Sequence, residues 1–102
     1  MEIVFGAKTT MQGSALLALA IVDGRDVTCK ADMEVIAELD EQAKKAGVPI
    51  GKDMVAIANS LRRFFVRKIE NGSFDNENRD SVTLQVHEIV TFMQGRDGSQ
   101  QA

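Results

Sequence analysis

The chain has 102 residues, of which 44% are hydrophobic and 26% are charged, and its formal net charge is −3. This composition excludes an intrinsically disordered chain and predicts one globular domain with a modest core. The acidic balance gives no general attraction to nucleic acid or to an anionic membrane, so any such binding needs a local basic patch. One cysteine cannot form an internal disulfide and the first residues lack a signal-peptide pattern, so we expect a cytoplasmic protein.

The first third of the chain predicts three β-strands. The first is expected over residues 2–8, followed by a polar connection over 9–14. Residues 15–22 are apolar on both faces, as in a strand that is covered on both sides, and are too few to span a bilayer. Asp23-Gly24 predicts a tight hairpin turn, because glycine tolerates positive φ, and the third strand is expected over 25–31.

The middle of the chain predicts two amphipathic helices. Asp32 is the expected N-cap of the first, with a carboxylate that accepts backbone N–H bonds, and Gly47 is its expected end. The second is predicted over residues 52–71 and a last strand over 82–86, whereas 87–93 suit either a helical turn or more strand. The predicted core stripe of the second helix comprises Met54, Ile57, Ala58, Leu61, Phe65 and Ile69, widened by Phe64 and Val66.

The element order β-β-β-α-α-β predicts an α+β fold with two helices packed on one face of a mainly antiparallel sheet. Residues 1–93 are predicted to form one domain, and the polar residues 94–102 a disordered tail. The second face of the sheet then lacks a cover, and we assign Val4, Ala18 and Ala20 to it. Contiguous exposed apolar surface marks interaction sites, so we expect a homodimer that pairs two such faces. The alternative is a monomer in which residues 9–14, or those after 93, fold over this face.

A short motif follows the predicted hairpin turn. From Asp23 to Ile36 the sequence contains D-G-x-x-V-x-C-x-x-D-x-E-x-I, and the stretches Ile69-Glu70-Asn71-Gly72 and Val82-Thr83-Leu84 come later. These residues resemble the signature of a small proteobacterial family classed only as a domain of unknown function. Asp32 stands where the family usually has Ser, and Phe64-Phe65 make the second helix more apolar than is typical. The resemblance covers about residues 3–89 and implies the α+β fold. It brings no established activity, although some members are labelled transcriptional regulators.

Few side chains in the sequence offer catalytic or metal-binding chemistry. Cys29 shares its predicted strand face with Val27 and Ala31, which favours a buried structural thiol over a reactive one. His87-Glu88 lacks the second histidine of a metalloprotease motif, because Thr91 occupies that position. The acidic loop from residue 75 to residue 80 fails the calcium-loop pattern of ligand positions. We therefore predict neither an enzyme nor a bound cofactor or metal.

A basic cluster on the second helix is the strongest remaining signal, and it comprises Arg62, Arg63, Arg67 and Lys68. Such side chains contact phosphates or a protein partner. The negative net charge and the lack of a clearly exposed aromatic side chain for base stacking favour a solvated helix face instead. We predict a non-catalytic binding or regulatory module that acts through protein contacts and has no membrane partner. A nucleic-acid-binding transcriptional regulator that uses this basic face is the alternative.

Overall fold

The computed structural model describes residues 1–48, 50, 51 and 53–92, with Ala7 described for its backbone alone. The α+β fold and the predicted order of elements are confirmed. Residues 86–92 form a further short helix, α3, which decides between the two structures that the sequence allowed there. The predicted tail, 94–102, lies outside the described residues. The other elements are β1 (Ile3–Gln12), β2 (Ala15–Val22), β3 (Arg25–Asp32), α1 (Met33–Lys45), α2 (Met54–Glu70) and β4 (Ser81–Leu84).

The four strands form one sheet in the order β1-β2-β3-β4. The pairs β1–β2 and β2–β3 are antiparallel, whereas β3 and β4 are parallel because the two long helices carry the chain back between them. Strand β1 is longer than predicted. Residues 9–12, which we expected as a polar connection, pair with the first half of β2 after a register shift between Phe5 and Thr9. Their polarity reflects an edge strand, whose side chains are only partly covered.

The β2–β3 hairpin turns at Asp23-Gly24, as predicted. Both residues have positive φ, 49° and 84°, as the type I′ turn of a two-residue hairpin requires. A turn this short fixes the register of the two strands. It places Ala20 opposite Val27 and Ala18 opposite Cys29.

The N-terminus of α1 differs from the prediction. Asp32 occupies the N-cap position, but its side chain accepts no backbone hydrogen bond. The N–H of Met33, the first residue of the helix, donates to the carbonyl of Ser14 at 3.1 Å, because β3 runs directly into α1 beside the β1–β2 turn. In α2 the expected chemistry is present, since the Asp53 carboxylate accepts the N–H of Ala56 at 2.9 Å.

The core lies between α1, α2 and the face of the sheet that they cover, which we call the inner face. Of the predicted α2 stripe, Met54 is 38% exposed, because it occupies the first turn of the helix. Phe64 stacks on Phe92 of α3, with ring centroids 6.1 Å apart, and so helps to dock that helix. None of the helices in the described part of the chain is both long enough and apolar enough to cross a membrane. The α2 residues buried in the core are Ala58, Leu61, Phe64, Phe65 and Ile69.

Candidate interaction surface

The candidate site is the outer face of the sheet, on the side away from α1 and α2. Burial alternates along β2, so that Leu17, Leu19 and Ile21 point to the outer face. Leu19 is 39% exposed and Ile21 is 37% exposed. Val4 pairs with Ile21 in the sheet and is 51% exposed. These four side chains form an apolar row that no described element covers.

Two of the three residues predicted for this face lie on the other one. Ala18 is 8% exposed and Ala20 is fully buried, and both belong to the core beneath the helices. The assignment of these two alanines to the outer face is therefore wrong. The hairpin register is the physical reason, because their partners on β3, Val27 and Cys29, face the core. Val4 does lie on the outer face.

Polar side chains flank the apolar row. A groove of about 190 Å³ lies between β1 and β3, with walls that include Thr10, Leu17, Leu19 and Thr28. A second groove, of about 420 Å³, is lined by Asp26, Thr28, Lys30, Asp80 and Ser81. Asp26 and Lys30 are exposed, and neither forms an ion pair with any described residue. The outer face thus combines an apolar centre with charges of both signs along β3.

The far edge of the sheet is closed by the acidic loop over residues 73–80. The N–H of Asp75 donates to the carbonyl of Ser81 at 2.8 Å, and the N–H of Thr83 donates to the Asp75 carboxylate at 3.1 Å. The hydroxyls of Ser81 and Thr83 donate to the same carboxylate, at 2.8 and 2.6 Å. Asp75 therefore provides hydrogen-bond partners for backbone groups of β4, an edge strand whose unpaired N–H and C=O groups would otherwise be open to pairing with another chain. Within the described ranges, no three His, Cys, Asp or Glu side chains converge as metal ligands would.

The basic cluster of α2 is smaller than the sequence suggested. Arg62, Arg63 and Arg67 are exposed. Each guanidinium lies over an aromatic ring, a geometry that fixes these side chains along the helix. A nucleic-acid surface at this helix would therefore depend on three arginines of an acidic chain. The pairs are Arg62 over Phe5 at 5.3 Å, Arg63 over Phe64 at 4.9 Å and Arg67 over Phe92 at 5.3 Å.

Lys68, predicted as the fourth member of this cluster, is not a surface residue. It is 6% exposed, and its Nζ donates to the Thr83 carbonyl at 2.6 Å and to Glu88 Oε1 at 2.9 Å. The same carboxylate oxygen accepts the N–H of Gln85 at 2.8 Å. Lys68 faces β4 and α3, and there it joins three elements through one ammonium group. A lysine one turn after Phe64 was the available signal, since that spacing puts both on one helix face.

Cys29 is fully buried, and burial raises the pKa of its thiol to about 12. At neutral pH the thiolate, which is the nucleophilic form, is therefore scarce as well as inaccessible. We expect a thiol reagent to label the native protein slowly at pH 7, and to label it stoichiometrically once denaturant is added. The time course of mass increase checks this result. Rapid stoichiometric labelling without denaturant would contradict a structural role.

A comparison with solved structures finds a protein to which this chain is similar. No protein-family model and no curated protein matches the sequence. The chain is similar to a protein of unknown function of the DUF1488 family from Shewanella loihica PV-4. The identity is 20%, the TM-score is 0.46, and the similarity covers 78% of this chain and 90% of that chain. Like the family that the sequence motif resembles, this neighbour is a proteobacterial domain of unknown function.

Proposed function

We propose that this chain is a non-catalytic binding module that acts through protein contacts at the outer face of its sheet, with a second copy of itself as the first partner. The observation that carries the proposal is the uncovered apolar row formed by Val4, Leu17, Leu19 and Ile21. Exposed apolar side chains that adjoin one another, with a polar surround, are typical of interaction surfaces. A cytoplasmic location is part of the proposal, and the free buried thiol of Cys29 fits a reducing compartment.

The size of the face favours a modest dimer. Strands about 4.8 Å apart, with residues rising about 3.4 Å each, give the three long strands a face of about 14 by 27 Å, and the shorter β4 adds about 5 by 14 Å. Two such faces bury roughly 900 Å² in total, which is close to the lower bound of about 1,000 Å² for specific interfaces. A twofold pairing of identical faces is the commonest solution among soluble oligomers. We therefore expect an association that responds to dilution.

The oligomeric state in solution tests this proposal. Light scattering at micromolar concentration should give twice the chain mass of 11.1 kDa for the unaltered protein. Leu19→Lys should give the monomer mass, because an ammonium group in the centre of the face loses its hydration on pairing. Val55→Lys is the matched control, since Val55 is 64% exposed on α2, on the other side of the molecule. A monomer mass for the unaltered protein over the whole concentration range would contradict the proposal.

A further inference from the structure

We infer that the two copies pair in one register, with a twofold axis that crosses the strands at Leu19 and Thr28, so that Asp26 of each copy faces Lys30 of the partner subunit. The inference rests on the proposed function, because it specifies how the same outer face is used. It names the charged residues that select the second copy as the partner. The apolar row supplies contact area, whereas these charges set orientation.

The sheet register carries this geometry. Leu19 is directly opposite Thr28, and the next pairs on the same face are Ile21 with Asp26 and Leu17 with Lys30. Strand side chains alternate with a period of two, so the two charges lie equally far from Thr28, on either side of it. A twofold axis across the strands at this line exchanges their positions.

Along β2, the same operation keeps apolar surface on apolar surface. Leu19 meets its own copy, and Ile21 meets Leu17 of the partner subunit. The groove of about 190 Å³ beside Leu17 and Leu19 offers room for the incoming side chain. Along β3, Lys30 of the partner subunit enters the second groove, which Asp26 and Asp80 both line. On β1 the same operation sets Val4 against Thr10 of the partner subunit, so the chemical match holds along β2 and β3.

The other face-to-face arrangement lacks this match. A twofold axis parallel to β2 would superpose β1 on β3 of the second copy at equal heights. Val4, at the level of Ile21, would then cover Asp26, and Thr10, at the level of Leu17, would cover Lys30. Each charge would lose water without gaining an opposite charge, which is unfavourable. The arrangement with the axis across the strands is therefore preferred.

Charge exchange between two chains tests the register. Asp26→Lys and Lys30→Asp should each raise the dimer Kd about tenfold or more, because each variant places like charges opposite each other. An equimolar mixture of the two variants should associate with close to the unaltered Kd, since every new charge then faces its opposite. The double variant that carries both substitutions should also recover. Sedimentation equilibrium on the full chain measures all four samples, and the thermal unfolding of each confirms that it is folded.

The outcomes separate this inference from the proposed function. If Leu19→Lys dissociates the dimer but both charge variants keep the unaltered Kd, the proposed register is wrong, whereas the outer face is still supported as the dimer interface. Single variants that dissociate without recovery in the mixture also overturn the register. If the unaltered chain is monomeric, the proposed function fails first. Asp26→Asn and Lys30→Gln, which remove charge with little change of shape, serve as the second pair if a reversal prevents folding.

Discussion

A glutamate in place of Ala20 should leave the chain unfolded at neutral pH, whereas the same substitution at the neighbouring Leu19 should leave it folded. Ala20 is fully buried, and it pairs with Phe5 on one side and Val27 on the other. A longer side chain there overpacks the core and buries a carboxylate without a partner. We expect a cost of about 5 kcal/mol or more, which is comparable to the whole stability of a small domain.

Circular dichroism with thermal unfolding distinguishes the two variants. Leu19→Glu should still unfold in one cooperative transition, at a temperature lowered only by the stability that the dimer interface contributes, because Leu19 points to the outer face. The two residues are adjacent in one strand, so intrinsic β-propensity and position in the chain are matched. A cooperative transition of Ala20→Glu at the unaltered temperature would contradict the assignment of the two faces.

The bounds of β2 and the position of the hairpin turn could be predicted from local sequence. Which of the β2 side chains face the core could not. Because residues 15–22 are apolar at every position, alternation within the strand cannot show which side is covered. The information lies in the partner strand. Val27 and Cys29 were predicted to face the core, and a two-residue turn pairs them with Ala20 and Ala18. Combining turn length with the polarity of β3 would have placed both alanines inside.

Other differences arise from contacts between distant residues. Residues 9–12 are polar except for Met11, yet they extend β1 because β2 supplies their backbone partners. The side chain of Asp32 forms no cap, and the N–H of Met33 donates to the carbonyl of Ser14. Local propensity describes neither feature, since the first depends on pairing with β2 and the second on the contact of the β1–β2 turn with the start of α1. The charged residues proposed for the interface were hidden for the same reason, because the strand register alone brings Asp26 and Lys30 beside the apolar row.

The prediction that Lys68 belongs to the exposed basic cluster also failed because of a contact between distant residues, the ion pair of Lys68 with Glu88. The charge of a lysine suggests the solvent side, although the spacing from Phe64 indicates the covered side, and no local pattern identifies the partner twenty residues away.

Lys68→Ala should lower the free energy of unfolding by about 3–5 kcal/mol, because it leaves a largely buried carboxylate without its counter-ion. The Glu88 side chain is 16% exposed and would keep only the Gln85 N–H, while the Thr83 carbonyl would lose the ammonium donor. Urea denaturation measures the change, and Arg67→Ala, at the exposed neighbouring position, should cost less than about 1 kcal/mol. Lys68→Met combined with Glu88→Gln should cost less than the sum of the two single changes, because the two groups are coupled. A Lys68→Ala variant within about 1 kcal/mol of the unaltered protein would show that this ion pair does not join α2 to β4 and α3.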